Sequence, residues 1–184
     1  MLIQEDKTIG NLMFSCLLNC WTRKKEGARG IEMKYIEKLY QQISNMNDQK
    51  FYLVEAEFCS ELYNHISDEK KPLCVIAFLT IANWFAMSQR SGAWTFYESV
   101  CPSNIDLTLQ FLEQTEYDDL VTIFRYGIHD YQNPQYAGNY NYPNEWIDES
   151  EEIDKWIIEH EEWIFAWERK LLIENKELIC SLIT

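Results

Sequence analysis

The sequence is short of chain breakers. Only six Gly and four Pro occur in 184 residues, which leaves little for the frequent turns of a β-sandwich or barrel. Histidine is scarcer, at three. His65, His129 and His160 form no Ser/His/Asp or Cys/His arrangement in sequence. A helical di-iron carboxylate site would need Glu-x-x-His, but the residues three before the histidines are Leu62, Tyr126 and Ile157. GxGxxG, a Walker-type lysine loop and HExxH are all missing. No catalytic residue, metal ligand or cofactor site is therefore assigned. His160 is read as a core histidine on an apolar helix face.

Basic residues are also few. Sixteen Lys and Arg face 30 Asp and Glu, for a formal net charge of −14. The only basic cluster is Arg23-Lys24-Lys25 with Arg29, too small a footprint to hold a phosphate backbone directly. The start of the chain carries Glu5 and Asp6 rather than an early positive cluster, and Ser15 and Asn19 interrupt the apolar run from Leu12 to Trp21. Neither a signal peptide nor a membrane span is expected from it. Six cysteines, at 16, 20, 59, 74, 101 and 180, lack CxxC spacing and mostly fall in apolar helical patterns. They point to a reducing, cytoplasmic setting. Cys16 and Cys20 could share a helix face as half of a metal site, with plain packing the preferred reading.

What the sequence has in quantity is packing material, 47% hydrophobic and 15% aromatic residues. The length suits a single helical domain spanning 1–184, with residues 1–30 as a helical extension. Ile31, Tyr35, Leu39 and Ile43 recur at steps of four within Gly30 to Met46, and Phe51, Val54, Phe58, Leu62 and Ile66 mark a second helix. A third runs from about Pro72 to Gln89 and is apolar on nearly every side, so it belongs at the centre of the fold. Ser103 and Asp106 resemble a capping pair for a fourth helix. A short helix follows over about Tyr117 to Tyr126, with Gly127 as its terminator. Gly127 to Ile147 reads as a long loop rich in Tyr, Asn and Pro. The last helix opens near Asp148, with an inward stripe of Ile153, Trp156, Ile157, His160, Trp163, Ile164, Trp167, Leu171 and Leu178. The expected fold is an all-α, single-domain multi-helix bundle with a central apolar helix and a long acidic C-terminal helix.

Charge is distributed unevenly. Residues 103–184 hold 18 acidic against 5 basic residues, a net of −13. It is densest from Glu145 to Glu162, where Glu145, Asp148, Glu149, Glu151, Glu152, Asp154, Glu159, Glu161 and Glu162 oppose Lys155. As a helix this segment spans about 27 Å, or one net charge roughly every 3.4 Å, the spacing along a single DNA strand. These carboxylates, with Tyr136, Tyr140 and Tyr142 of the loop, are the candidate partner-binding residues. The plain reading of the same face is a solvated acidic helix.

Residues Arg90-Ser91-Gly92, Ala93, Trp94 and Thr95-Phe96-Tyr97 bear on the same question. With the helices that follow, they resemble the bacterial family of small helical proteins that includes the Neisseria DNA-mimic protein. That family has an Asn-Gly-Gly turn, an aromatic, a spacer and Gln-aromatic-aromatic. Gly92 and Phe96-Tyr97 agree with the pattern, whereas Arg90, Ser91, Ala93 and Thr95 depart from it. The similarity runs loosely over about residues 73–175. It implies an all-helical, acidic, often dimeric protein whose best-known member imitates DNA to sequester a DNA-binding regulator. The structural reading of Gly92 is a helix terminator followed by core aromatics.

These readings converge on an acidic protein-binding module, in its sharpest form a DNA mimic. Its partner would be a basic protein, either a DNA-binding regulator or a nuclease, with no direct contact to nucleic acid or membrane. Two alternatives stay open: an immunity protein against a toxin nuclease, and an enzyme using the Tyr/Asn loop as a small-molecule pocket.

Overall fold

The computed structural model describes residues 29–115, 117–137 and 139–183. The N-terminal extension, Cys16, Cys20 and the Arg23-Lys24-Lys25 cluster lie outside them. Among the described residues there are ten α-helices and two short 3-10 turns, with no strand, so the all-α class is observed. The helices are α1 (Arg29–Asn45), α2 (Tyr52–His65), α3 (Leu73–Ser91), α4 (Ala93–Ser99), α5 (Pro102–Glu113), α6 (Asp118–Tyr126), α7 (Pro134–Ala137), α8 (Asn144–Glu159), α9 (Glu161–Glu174) and α10 (Lys176–Leu182).

The chain divides into two compact units, residues 79–161 and the combination of 1–78 with 162–184. In the second of these, α1 buries Leu39 and Ile43 of the expected stripe together with Ile36 and Tyr40, whereas Tyr35 is exposed at 37% and the Ile31 side chain lies outside the described ones. Tyr40 meets Phe58 of α2 edge to face at 5.2 Å, and Phe51 packs on Phe58, Phe78 and Phe165 at 6.4 to 6.5 Å. Arg169 of α9 donates to the Ile43 carbonyl at 2.7 Å and to Asp48 at 2.8 Å, satisfying a carbonyl at the end of α1.

Residues 79–161 are built around Phe124, which is fully buried against Trp84, Phe96 and Tyr97 at 5.5 to 6.0 Å. The central apolar helix is present as α3. Its length and composition would suit a membrane span, yet 67% of its most apolar window is buried inside the protein.

Several boundaries differ from the sequence reading, each for a local reason. The fourth helix, α5, starts at Pro102 with Cys101 before it, and no side-chain cap from Ser103 forms, because proline's fixed φ suits the first turn. Gly127 closes α6 at an ordinary φ of −84°. Its requirement is space, since a Cβ there would stand 2.5 Å from the Tyr97 ring and 2.6 Å from Ile153. The loop of 127–147 contains α7.

The long C-terminal helix is three helices. It opens at Asn144 rather than at Asp148, and it is interrupted at His160 and Asn175. At both interruptions the side chain also turns to the carbonyl four residues earlier, His160 Nδ1 to Trp156 at 2.8 Å and Asn175 Nδ2 to Leu171 at 2.9 Å, beside the backbone amides that reach the same carbonyls at 3.0 and 3.2 Å. Beyond the first break the expected inward stripe holds only in part. Ile164, Trp167 and Leu171 are buried as expected, but Trp163 and Leu178 are exposed at 36% and 45%. Phe165, Glu168 and Leu172 take inward places that the continuous stripe did not give them.

Candidate functional site

The acidic helix α8 is fixed from one side. Ile153 and Ile157 are fully buried, and Ser150 stands beside them at 3% exposure. Ser150 and Asp154, one turn apart, both reach the start of α4. Ser150 Oγ accepts from the Trp94 amide at 3.0 Å. Asp154 Oδ1 accepts from the Ala93 amide at 2.9 Å and from the Ser88 hydroxyl at 2.5 Å. Helix α4 has no cap of its own, so α8 supplies partners for two of its orphan amides.

The Gly92 turn makes this docking possible. Its φ of 93° is in the left-handed region, which glycine enters without penalty. A Cβ at this position would stand 3.0 Å from the Trp94 ring and 3.4 Å from Asp154. Phe96 and Tyr97 enter the core, and the Tyr97 hydroxyl donates to the Phe124 carbonyl at 2.8 Å. The Gly92 turn is thus a structural joint between α3, α4 and α8.

Asp154, a candidate contact residue, is consequently an anchor. Burial raises its pKa, against the opposing effect of the Ser88 and Ala93 hydrogen bonds. Glu149 is also drawn inward: it is half-buried and pairs with His129, whose ring stacks on Trp146 at 4.7 Å. Five of the predicted carboxylates on α8 remain exposed: Glu145, Asp148, Glu151, Glu152 and Glu159. At 3.6 residues per turn, Glu145, Asp148, Glu152 and Glu159 fall within about 60° of arc. Glu152 accepts from the Tyr126 hydroxyl at 3.2 Å, and Lys155 lies 3.9 Å from Glu159 at the helix surface. Glu161 and Glu162 are exposed beyond the His160 break, where Glu162 accepts from Gln49 at 2.8 Å.

Tightening the list lowers the charge density. Five exposed carboxylates and Lys155 along about 21 Å of helix give one net charge per roughly 5 Å, sparser than the 3.4 Å of a DNA strand.

The Tyr/Asn loop folds onto itself. Tyr131 and Tyr142 are buried and meet edge to face at 5.1 Å, and Trp146 lies 5.2 Å from Tyr131 and 5.3 Å from Tyr136. The Tyr131 hydroxyl donates to the Trp146 carbonyl at 3.1 Å, and the Tyr142 hydroxyl donates to Glu98 at 2.7 Å. Burial, then the Glu98 hydrogen bond, pushes the Tyr142 phenol well above its ordinary pKa. Of the three candidate tyrosines, Tyr142 is interior, Tyr136 half-buried and Tyr140 exposed at 68% with a left-handed φ of 51°. Tyr140 leans on Trp94 at 6.2 Å. The loop therefore offers one strongly exposed aromatic beside α8.

Ser88 and Ser150, which hold the acidic helix in place, were not singled out from sequence. Their signal was a small hydroxyl at an inward-facing position, Ser150 lying three before the buried Ile153. No group of three or more potential metal ligands occurs among the described residues. No family model, curated protein or solved structure matches the chain.

Proposed function

We propose that residues 79–161 form an acidic protein-binding module that occupies the basic surface of a nucleic-acid-binding protein. The observation that carries this reading is the exposed carboxylate arc of Glu145, Asp148, Glu152 and Glu159 on a helix clamped from behind by Ser150 and Asp154. A rigid backing matters because displayed charges then meet a partner without first being ordered.

The surrounding charge supports the reading. Residues 79–161 contain 15 acidic and 3 basic residues. One of the three, Arg125, is engaged by Glu113, and another, Lys155, faces Glu159. A field of one sign steers a basic partner and weakens with salt. The sequence resemblance to the DNA-mimic family points the same way. The partner is selected here by sign and reach of charge rather than by copying phosphate spacing, given the sparser arc.

The test replaces the arc while leaving the anchors. Full-length protein carrying Glu145→Gln, Asp148→Asn, Glu152→Gln and Glu159→Gln is compared with the unaltered chain as bait for host lysate at low salt, and captured partners are identified. Their association rates are then measured across a salt series. The expected result is a basic nucleic-acid-binding partner whose association with the variant is at least about tenfold slower and less salt-dependent, as for steering by charge. Identification of that partner distinguishes a regulator from a toxin nuclease. An unchanged rate and salt slope would reduce the arc to a solvated surface and remove the proposal.

A further inference from the structure

The other unit contains carboxyls that face no solvent. Glu55 of α2 and Glu168 of α9 are 1% and 0% exposed, and all four of their carboxyl oxygens are closed off from water. An isolated buried carboxylate is expensive enough that the group instead keeps a proton or finds a partner. Here burial and the neighbouring Glu55 both act against ionisation of Glu168. Two ionised carboxylates buried in one unit could only accept and would repel each other, whereas a retained proton removes that repulsion.

The charged groups on neighbouring elements are engaged elsewhere. Arg169, next to Glu168 on α9, donates to Ile43 and Asp48. On α2, Glu57 accepts from Tyr35 of α1, and Glu61 pairs with His65. Lys176 of α10 lies over the Tyr40 ring at 5.6 Å. Cys74, at the start of α3, is a buried thiol whose pKa desolvation raises. The charge acting on Glu168 comes from Glu55.

We propose that Glu55 and Glu168 form a buried proton-binding site that joins α2 to α9 while they share a proton and loosens that joint when the proton is lost. Burial first, then the neighbouring Glu55, holds Glu168 well above the ordinary carboxyl range. The folded form therefore binds a proton that the unfolded chain has already released at the same pH. Stability must fall as pH rises from the unfolded carboxyl pKa up to the raised folded value, and the folded state gains from the site at the acid end. This is opposite to the usual salt-bridged carboxylate. The site makes unit stability a readout of alkalinity and needs no ligand other than the proton.

The experiment measures urea unfolding of the full chain from pH 5 to pH 9 for the unaltered protein, Glu168→Gln and Glu55→Gln. A Gln retains a neutral donor without a titratable proton. The unaltered chain should show its unfolding constant rising up to about tenfold per pH unit more steeply than in Glu168→Gln, the limit for one proton. Identical pH slopes in all three proteins would overturn the proposal. Infrared difference spectra of the unaltered protein at pH 7 supply a second readout that does not depend on the variants folding. They should contain the carbonyl stretch of a protonated carboxyl, lost as pH is raised. A protein with no such band at pH 7 has no shared proton, and the site fails.

Discussion

Two regions of this chain hold similar numbers of carboxylates and use them in opposite ways. Residues 79–161 carry 15 acidic and 3 basic residues, a net of −12. Residues 29–78 with 162–183 carry 12 and 9, a net of −3. The first region puts most of the α8 acids on the surface and uses Asp154 as an anchor. The second, nearly balanced, region buries Glu55 and Glu168 completely. Net charge thus says where a field is strong, but not where an individual carboxyl matters most. A carboxyl in water loses little when altered, whereas one facing an orphan amide or another carboxyl is tied to its neighbours' desolvation.

The largest expected effect tests the frame that holds the acidic helix. Phe124→Ala removes a fully buried ring that touches Trp84, Phe96 and Tyr97, and should cost about 3 to 5 kcal/mol in urea unfolding. A loss below about 1 kcal/mol, the average for all substitutions, would mean that residues 79–161 have a different centre.

A sharper cut through the comparison sets two acids of α8 against each other. Asp154→Ala leaves the Ala93 amide and Ser88 hydroxyl without their acceptor and should cost about 1 to 3 kcal/mol. Glu152→Ala, two residues away and exposed, should stay within about 0.5 kcal/mol. Equal costs in thermal melts would erase the distinction between anchor and display.

A modest effect is expected at Trp163. A buried tryptophan in the apolar stripe would lose about 3 to 5 kcal/mol on truncation, but at 36% exposure Trp163→Ala should cost nearer 1 kcal/mol. A larger loss would restore Trp163 to the core and with it the continuous stripe across His160.

That contrast shows how far the sequence could be read. Leu39 and Ile43 are buried as their helical spacing predicts, as are Phe58, Leu62 and Ile66, although Tyr35 of the first stripe is exposed, because apolar period selects a face when one helix runs unbroken. The same rule failed across His160 and Asn175. There the helix is interrupted, and Trp163 and Leu178 are exposed while Ile164, Trp167 and Leu171 stay buried. At the candidate site, the cluster of acids was legible as composition. The withdrawal of Asp154 and Glu149 from the exposed set was not, since it depends on Ala93, Ser88 and His129, between 20 and 66 residues distant in sequence.

The sequence by itself determined the all-helical class, the apolar character of α3 and the concentration of negative charge around α8, because these follow from residue type and local spacing. Tertiary structure alone decided which carboxylates face water, which cap α4 and which are buried inside the other unit. The physical reason is that a carboxyl's behaviour is set by the solvent and partners around it, and for Asp154 and Glu168 those partners come from other helices.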